Sequence, residues 1–464
     1  MKKGLIISAA TVLAAAAVAI LLLWPSPETV RLNRPNVLWI TMDSFRADHL
    51  GCAGPRGAHT PVLDGLAAEG TAFTQCMAQA PYTHISVPSM ITATYPYLLD
   101  IRQLGLDLDS AHVTLAEALA EEGYFTSGIL EDWPVSYYQG FEKLKQGHSG
   151  TLKKTQWCLQ TLDELGSRPF FIWLYYWDPH APYTPPAEHM KVYEKDYALL
   201  DGIRPYGPDL RDATGFYGGS ILLLGRVNRG LITLTPEERR HLIRLYDAEV
   251  TFVDDEIGTV FDRLKEMELW DRTLVVLNAD HGEVFGEHGH YYHGHTLYEQ
   301  QIHVPLIVKP PRPAARERTV SSAVRNMDIM PTVLDYCGVR HPAGIDGLSL
   351  RPLIEGARPA ERPTCLETHN LQPPGHQVGY RGEGYKLIHD LTNGGIELYD
   401  LKTDPGEQDN LMMQETARQL HIRLQEEMLT QWRVGTLEDV AMPVEPADIR
   451  PQVRDRLRAL GYVE

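Results

Sequence analysis

The chain has 464 residues, long enough for one large α/β domain with a smaller companion and a sizeable buried core. Its 43 Lys and Arg stand against 61 Asp and Glu, a net charge of −18, which argues against nucleic-acid binding, since phosphates need a net basic face. With 43% apolar and 22% charged residues it is neither disordered nor collagen-like, and an anionic substrate has to be attracted locally, by a metal or a histidine cluster.

Lys2 and Lys3 precede an apolar run from Leu5 to Trp24, broken only by Ser8 and Thr11. About 20 residues at 1.5 Å each span a bilayer core of roughly 30 Å. Trp24-Pro25-Ser26-Pro27 makes a poor cleavage site, so residues 1–24 are expected to be an uncleaved membrane anchor, a cleaved signal segment being the alternative. The positive flank stays in the cytoplasm, which predicts a single-pass protein of the cell membrane with an extracytoplasmic (periplasmic or extracellular) catalytic domain, or a secreted one after cleavage. Residues 25–35 read as a polar linker. The five cysteines (Cys52, Cys76, Cys158, Cys337, Cys365) are widely spaced with no C-x-x-C pair, and most are expected to be buried small hydrophobes.

Three apolar runs of strand length follow, and each stops at Asp or His. Asn36 to Met42 ends at Asp43, Phe170 to Trp177 at Asp178-Pro179-His180, and Thr273 to Ala279 at Asp280-His281. Continuous apolar strands indicate a parallel sheet covered by helices on both faces. Active sites in such sheets lie beyond the carboxyl ends of the strands, so the three polar ends are expected at one crevice. Thr60-Pro61 opens a helix closed by Gly70, with Thr60 as its N-cap. Thr235-Pro236-Glu237-Glu238 opens another that runs to Leu264, its Asp and Glu residues expected on a solvated face.

These segments carry a family resemblance. N-V-L-W-I-T-M-D-S-F-R-A-D-H-L-G (36–51), T-P-V-L-D-G-L-A-A-E-G-T-A-F-T (60–74) and D-P-H-A-P-Y-T-P-P (178–186) are similar to motifs of the sulfatase family, within the alkaline phosphatase superfamily. The resemblance continues through A-D-H-G-E-V-F-G-E-H-G (279–289), H-G-H-T-L-Y-E-Q-Q-I-H-V-P-L-I-V (293–308), M-D-I-M-P-T-V-L-D (327–335), I-D-G-L-S-L-R-P-L (345–353) and E-L-Y-D-L-K-T-D-P-G-E-Q-D-N-L (397–411). It implies an α/β fold with a large, mostly parallel sheet sandwiched by helices and a smaller C-terminal α+β subdomain. The expected division is a catalytic domain over 36–355, the subdomain over 356–435 and a tail over 436–464.

The resemblance also implies a metal-dependent ester hydrolase. Asp43, Thr83, Asp280 and His281 are the expected ligands of one divalent cation. Many sulfatases end the first strand in two aspartates and carry Asp-Asn later. Here Ser44 follows Asp43 and His281 replaces the Asn, which favours zinc or manganese over calcium, an oxygen-preferring ion. The family's C/S-x-P-x-R nucleophile motif is missing. Counting back from Tyr95-Pro96 puts Thr83 at the nucleophile position, and a second register puts Ser86 there. A threonine cannot become an aldehyde, so it has to attack as an alkoxide activated by the cation. His180 and His293 match the family positions expected to donate to the ester and protonate its leaving group. Arg46 is expected to orient Asp43, and His288, His290 and His295 are expected to be solvated or turn residues with room for a second metal.

The function so implied is hydrolysis of anionic (sulfate, phosphate or phosphonate) esters through a covalent intermediate, phospho-esters being favoured by Thr83. The alternatives are a true sulfatase using Ser86, a phospho-head-group transferase acting on envelope glycans or lipids, and a non-catalytic glycan-binding protein on the same fold. The expected partners are a small-molecule, glycan or lipid ester and, through the N-terminal segment, the membrane. Rim loops at Glu188–Thr233 and Thr368–Gly379 are expected to set specificity.

Overall fold

The computed structural model describes residues 34–440, except 55–56, 100, 102–106, 133–134, 148, 194–223, 313–316, 359, 361, 372–373 and 438. One sheet contains β1 (Asn36–Met42), β2 (Thr71–Met77), β3 (Phe125–Leu130), β4 (Lys143–Gln146), β5 (Phe170–Tyr176), β6 (Thr273–Ala279), β7 (His303–Lys309), β8 (Thr319–Val320) and β9 (Val324–Arg325). Its spatial order is β4-β3-β5-β1-β6-β7-β2-β8, with β9 beside β2. The half from β4 to β6 is parallel, and β7 runs antiparallel to both β6 and β2.

The middle strands β5, β1 and β6 are buried at every residue, as continuous apolar runs between helical layers should be. Register makes this sheet a platform. Met42 stands opposite both Tyr176 of β5 and Ala279 of β6, so β1 and β6 end level and deliver Asp43 and Asp280 side by side. Polar groups inside the sheet are paired with each other. Asn278 Oδ1 accepts from Trp39 Nε1 at 2.8 Å and from Thr41 Oγ1 at 2.9 Å, and the Asn278 amide donates to Asn326 Oδ1 at 3.0 Å.

The longer helices are α1 (Pro61–Glu69), α2 (Thr83–Thr92), α3 (Thr151–Asp163), α4 (Pro236–Glu266) and α5 (Ala417–Trp432). α4 begins with a complete capping box between Thr235 and Glu238. α1 differs from expectation. The Thr60 hydroxyl does not cap it but accepts from Gly51 N and donates to Asp64, while Asp254 of α4 takes the free amides of Val62 and Leu63 at 3.0 and 2.8 Å. A carboxyl group across the interface therefore replaces the local hydroxyl. The acidic residues of α4 correct a second expectation, because Asp247, Glu249 and Asp254 are buried rather than solvated.

A second sheet, β10 (Thr364–Leu371), β11 (Pro374–Gly382), β12 (Tyr385–Asp390) and β13 (Ile396–Asp400), is an antiparallel meander. Cys365, Val378, Tyr380 and Leu387 pack there with Met428 and Trp432 of α5, while Leu366 and Ile388 pack with Met77 and Leu297. The fold is thus the expected mostly parallel α/β sheet with an antiparallel C-terminal subdomain. The expected rim loop Thr368–Gly379 is instead the β10–β11 hairpin, and most of the other, 194–223, lies outside the described residues.

The expected localisation is corrected. No helix among the described residues is long and apolar enough to cross a membrane, and the Leu5–Trp24 run that suggested an anchor lies outside them.

Candidate active site

Asp43 and Asp280 leave the ends of β1 and β6 fully buried. The Tyr175 hydroxyl, from the end of β5, lies 2.8 Å from Asp43 Oδ2 and 2.9 Å from Asp280 Oδ2. One hydroxyl proton serves two carboxylates, so negative charge accumulates between them. Ser44 adopts the left-handed backbone (φ 59°), which turns the chain sharply after the strand. Its Oγ donates to Asp43 Oδ1 at 2.9 Å and its amide to Asp280 Oδ1 at 3.3 Å. Burial first, and then the charge of Asp280, push the Asp43 carboxyl well above its usual range.

His281 completes the group. Its Nδ1 is 2.9 Å from the Gly282 carbonyl, which fixes the proton there and leaves the Nε2 lone pair inward. Nε2 lies 3.5 Å from Asp43 Oδ1, 3.5 Å from Asp280 Oδ2 and 3.1 Å from Thr83 Oγ1. Ligand atoms of Asp43, Asp280 and His281 all lie within 4.8 Å of one another. Two buried carboxylates and an inward imidazole lone pair, with a hydroxyl beside them, could hold a divalent cation.

Thr83 is the first residue of α2, next to the N-cap Tyr82, so the positive end of the helix faces the same space. Pro88 within α2 lacks the amide that would bond the His84 carbonyl, and the Tyr137 hydroxyl donates to that carbonyl instead, at 2.8 Å. Ser86, one turn further on, is fully buried and its Oγ donates to the Asp280 carbonyl at 2.6 Å.

Three histidines gather beside this group. The His293 ring lies 4.3 Å from that of His281 and 4.9 Å from that of His180, centre to centre. His293 Nδ1 is 3.2 Å from Glu283 Oε2 and 3.4 Å from Ser44 Oγ, while its buried Nε2 has no hydrogen-bond partner among the described residues. Burial pushes the His293 pKa well down, helped by the neighbouring His281, His180 and His295. His180 donates from Nδ1 to the Ala181 carbonyl at 2.6 Å and accepts from the Tyr292 hydroxyl at Nε2, 2.9 Å away.

Every expected site residue thus falls in one buried cluster at the strand ends, with two corrections around it. Arg46 does not orient Asp43 but stays buried on the far side of the turn at Ser44, where it pairs with Asp48 and Glu287 and stacks on Phe285. His288 lies in the Glu287–Gly289 turn as expected, stacked on Tyr298 at 3.5 Å, and it, His290 and His295 are all half-buried rather than solvated. Sequence reasoning missed Tyr175, Ser44, Tyr292 and Glu283. Burial pushes the Glu283 carboxyl up to about 8, and the Tyr183 hydroxyl holds it at 3.0 Å. The signal for Glu283 was its place two residues after His281, while Tyr175 was hidden in an apolar strand.

An α/β sheet with acidic and histidine ligands at its strand ends and a hydroxyl at a helix start defines a metal-assisted ester hydrolase. The Sulfatase family model matches residues 35–339, and the model of the N-sulphoglucosamine sulphohydrolase C-terminal region matches 286–433. The chain belongs to the sulfatase family and is an ester hydrolase. It is 31% identical over 411 residues to the Delta 4,5-hexuronate-2-O-sulfatase of Bacteroides thetaiotaomicron, covering 82% of this chain and 85% of that one. It is 24% identical over 471 residues to the N-acetylglucosamine-6-O-sulfatase of the same organism, covering 83% and 84%. A phosphonate monoester hydrolase of Agrobacterium radiobacter shares the fold, with TM-score 0.67 and 20% identity over 86% of this chain and 96% of that one.

Proposed function

We propose that the chain hydrolyses phosphate or phosphonate monoesters in preference to sulfate esters, through a covalent intermediate on Thr83. The observation that carries this reading is the Thr83 hydroxyl, 3.1 Å from His281 Nε2 at the start of α2. The proposal keeps 36–355 as the catalytic domain, 356–435 as the subdomain and 436–464 as the tail.

Asp43, Asp280, His281 and the Thr83 hydroxyl would hold the cation, zinc or manganese on this mixed nitrogen and oxygen set. When bound, such a cation lowers the pKa of a neighbouring hydroxyl and offsets the negative charge of the ester. Thr83 Oγ1, its proton lost to water, attacks phosphorus in line; the Oγ–P bond forms as the ester P–O bond breaks. His293 Nε2, buried and without a hydrogen-bond partner among the described residues, protonates the leaving oxygen. Burial depresses its pKa, and the negative charge of a bound ester opposes that shift. His180, fixed by the Ala181 carbonyl at Nδ1, donates to the equatorial oxygens once its Nε2 takes a proton and gives up the Tyr292 hydroxyl, and water then releases phosphate from Thr83. Ser86 is a poorer nucleophile because its proton is committed to the Asp280 carbonyl.

Nitrophenyl phosphate, phosphonate and sulfate assays on the purified chain test this. Thr83→Ala is expected to reduce turnover by about 10⁴-fold or more, and Ser86→Ala to leave a substantial part of it. An intact-mass increment of one phosphoryl group on Thr83 after substrate is expected. The opposite mutational pattern, or faster turnover of the sulfate, would end the reading.

A further inference from the structure

A second cluster of metal-ligating side chains lies away from the strand ends, on the β10–β11 hairpin. Glu367 and His369 are two residues apart in β10 and so share one face of the strand. His376 of β11 stands directly opposite His369 in the antiparallel register. Opposed residues in such a ladder hold their Cβ atoms about 4.5–5.5 Å apart, so the three side chains converge without any loop closing on them. Glu367 Oε1 touches His369 Nε2, and the two imidazole rings lie 3.9 Å apart, centre to centre. Ligand atoms from all three lie within 4.8 Å of one another.

We propose that Glu367, His369 and His376 form a second divalent transition-metal site, with zinc as the ion best suited to two imidazoles and one carboxylate. Zinc bonds of about 2.0–2.2 Å to nitrogen and oxygen need only small side-chain rotations from this arrangement, and three protein ligands leave a fourth position open. The setting suits a tight site. The Glu367 and His369 side chains are 1% and 4% exposed, which removes competing water, while the half-buried His376 leaves an entry path. A Glu–His ion pair alone accounts for two of the three residues. A shared ion gives a role to the second imidazole as well, stacked on the first at 3.9 Å.

The position gives the site a consequence. Thr368, between the two β10 ligands, points to the opposite face and donates to the Gly294 carbonyl at 3.0 Å, next to His293. The Glu367 amide donates to the Gln79 carbonyl at 3.0 Å, four residues before Thr83. An ion joining β10 to β11 therefore clamps the hairpin that braces both flanks of the active-site crevice.

The test is a zinc count on the full chain, stripped with chelator, titrated with zinc chloride and desalted. Wild type is expected to retain two equivalents, His369→Gln and His376→Gln one each, Asp280→Asn one, and the Asp280→Asn/His369→Gln double variant none. His376→Gln changes a half-buried residue and serves as the folded control, checked by circular dichroism. In the Asp280→Asn background, zinc should still raise the Tm, and this rise should vanish on adding His376→Gln. Retention of two equivalents by both hairpin variants, or no Tm rise in the Asp280→Asn background, overturns the proposal. Retention of two equivalents by Asp280→Asn alone would count against the strand-end site and leave the hairpin site standing.

Discussion

The strand-end cluster and the hairpin cluster use the same ligand chemistry but are assembled in opposite ways. Asp43 and Asp280 are separated by most of the catalytic domain and meet only because β1 and β6 pair in register, Met42 against Ala279. Glu367, His369 and His376 come from one hairpin, where alternation and cross-strand pairing alone bring them together. The first arrangement ties the site to the core of the whole sheet, so its ligands are buried, braced and strained by like charge. The second depends on a local ladder. Catalytic geometry benefits from the first because every strand that moves it must also break the core.

Asp280→Asn tests the sheet-built site most severely. It should remove one metal equivalent and lower turnover by at least about 100-fold, while the hairpin still retains zinc. Elemental analysis beside the phosphate assay reads both, and unchanged occupancy with unchanged turnover would remove Asp280 from the ligand set. Tyr175→Phe is a smaller perturbation of the same site. It deletes the hydroxyl that holds both carboxylates, and metal affinity and turnover are expected to fall together by about 10–100-fold. Loss of one without the other would give Tyr175 a different role.

Asp254→Asn has the smallest expected effect and tests long-range bracing away from the chemistry. Burial pushes the Asp254 carboxyl from 3.8 up to about 7. Between those pH values the folded chain keeps a proton that the unfolded chain has lost, so this group's contribution makes stability fall as pH rises from about 4 to about 7. Asparagine does not titrate, and the variant should flatten that part of the urea midpoint against pH. An unchanged slope would assign it to another group.

Much of the site was legible because ligands at strand ends interrupt long apolar runs. Asp43, Asp280 and His281 announce themselves by ending such runs, and Thr83 by its offset from Tyr95-Pro96. Tyr175 was not legible, since an aromatic in an apolar strand reads as core until its neighbours are known. Arg46 misled for a related reason. Its nearness to Asp43 in sequence suggested contact, and the left-handed turn at Ser44 directs it to Asp48 and Glu287. Thr60 looked like a cap, but only packing against α4 could supply Asp254 in its place. The Thr368–Gly379 segment, rich in Gly and polar residues, read as a loop because its strand character comes from cross-strand pairing rather than from its own composition.

By itself the sequence determined the α/β class, the residue types offered at each strand end and the missing formylglycine motif, because these follow from periodicity and side-chain chemistry local to a segment. The tertiary structure alone decided which ends lie level, that Tyr175 bridges Asp43 and Asp280, and that His293 is buried among three rings. Those outcomes depend on strand order and register, which no single segment specifies.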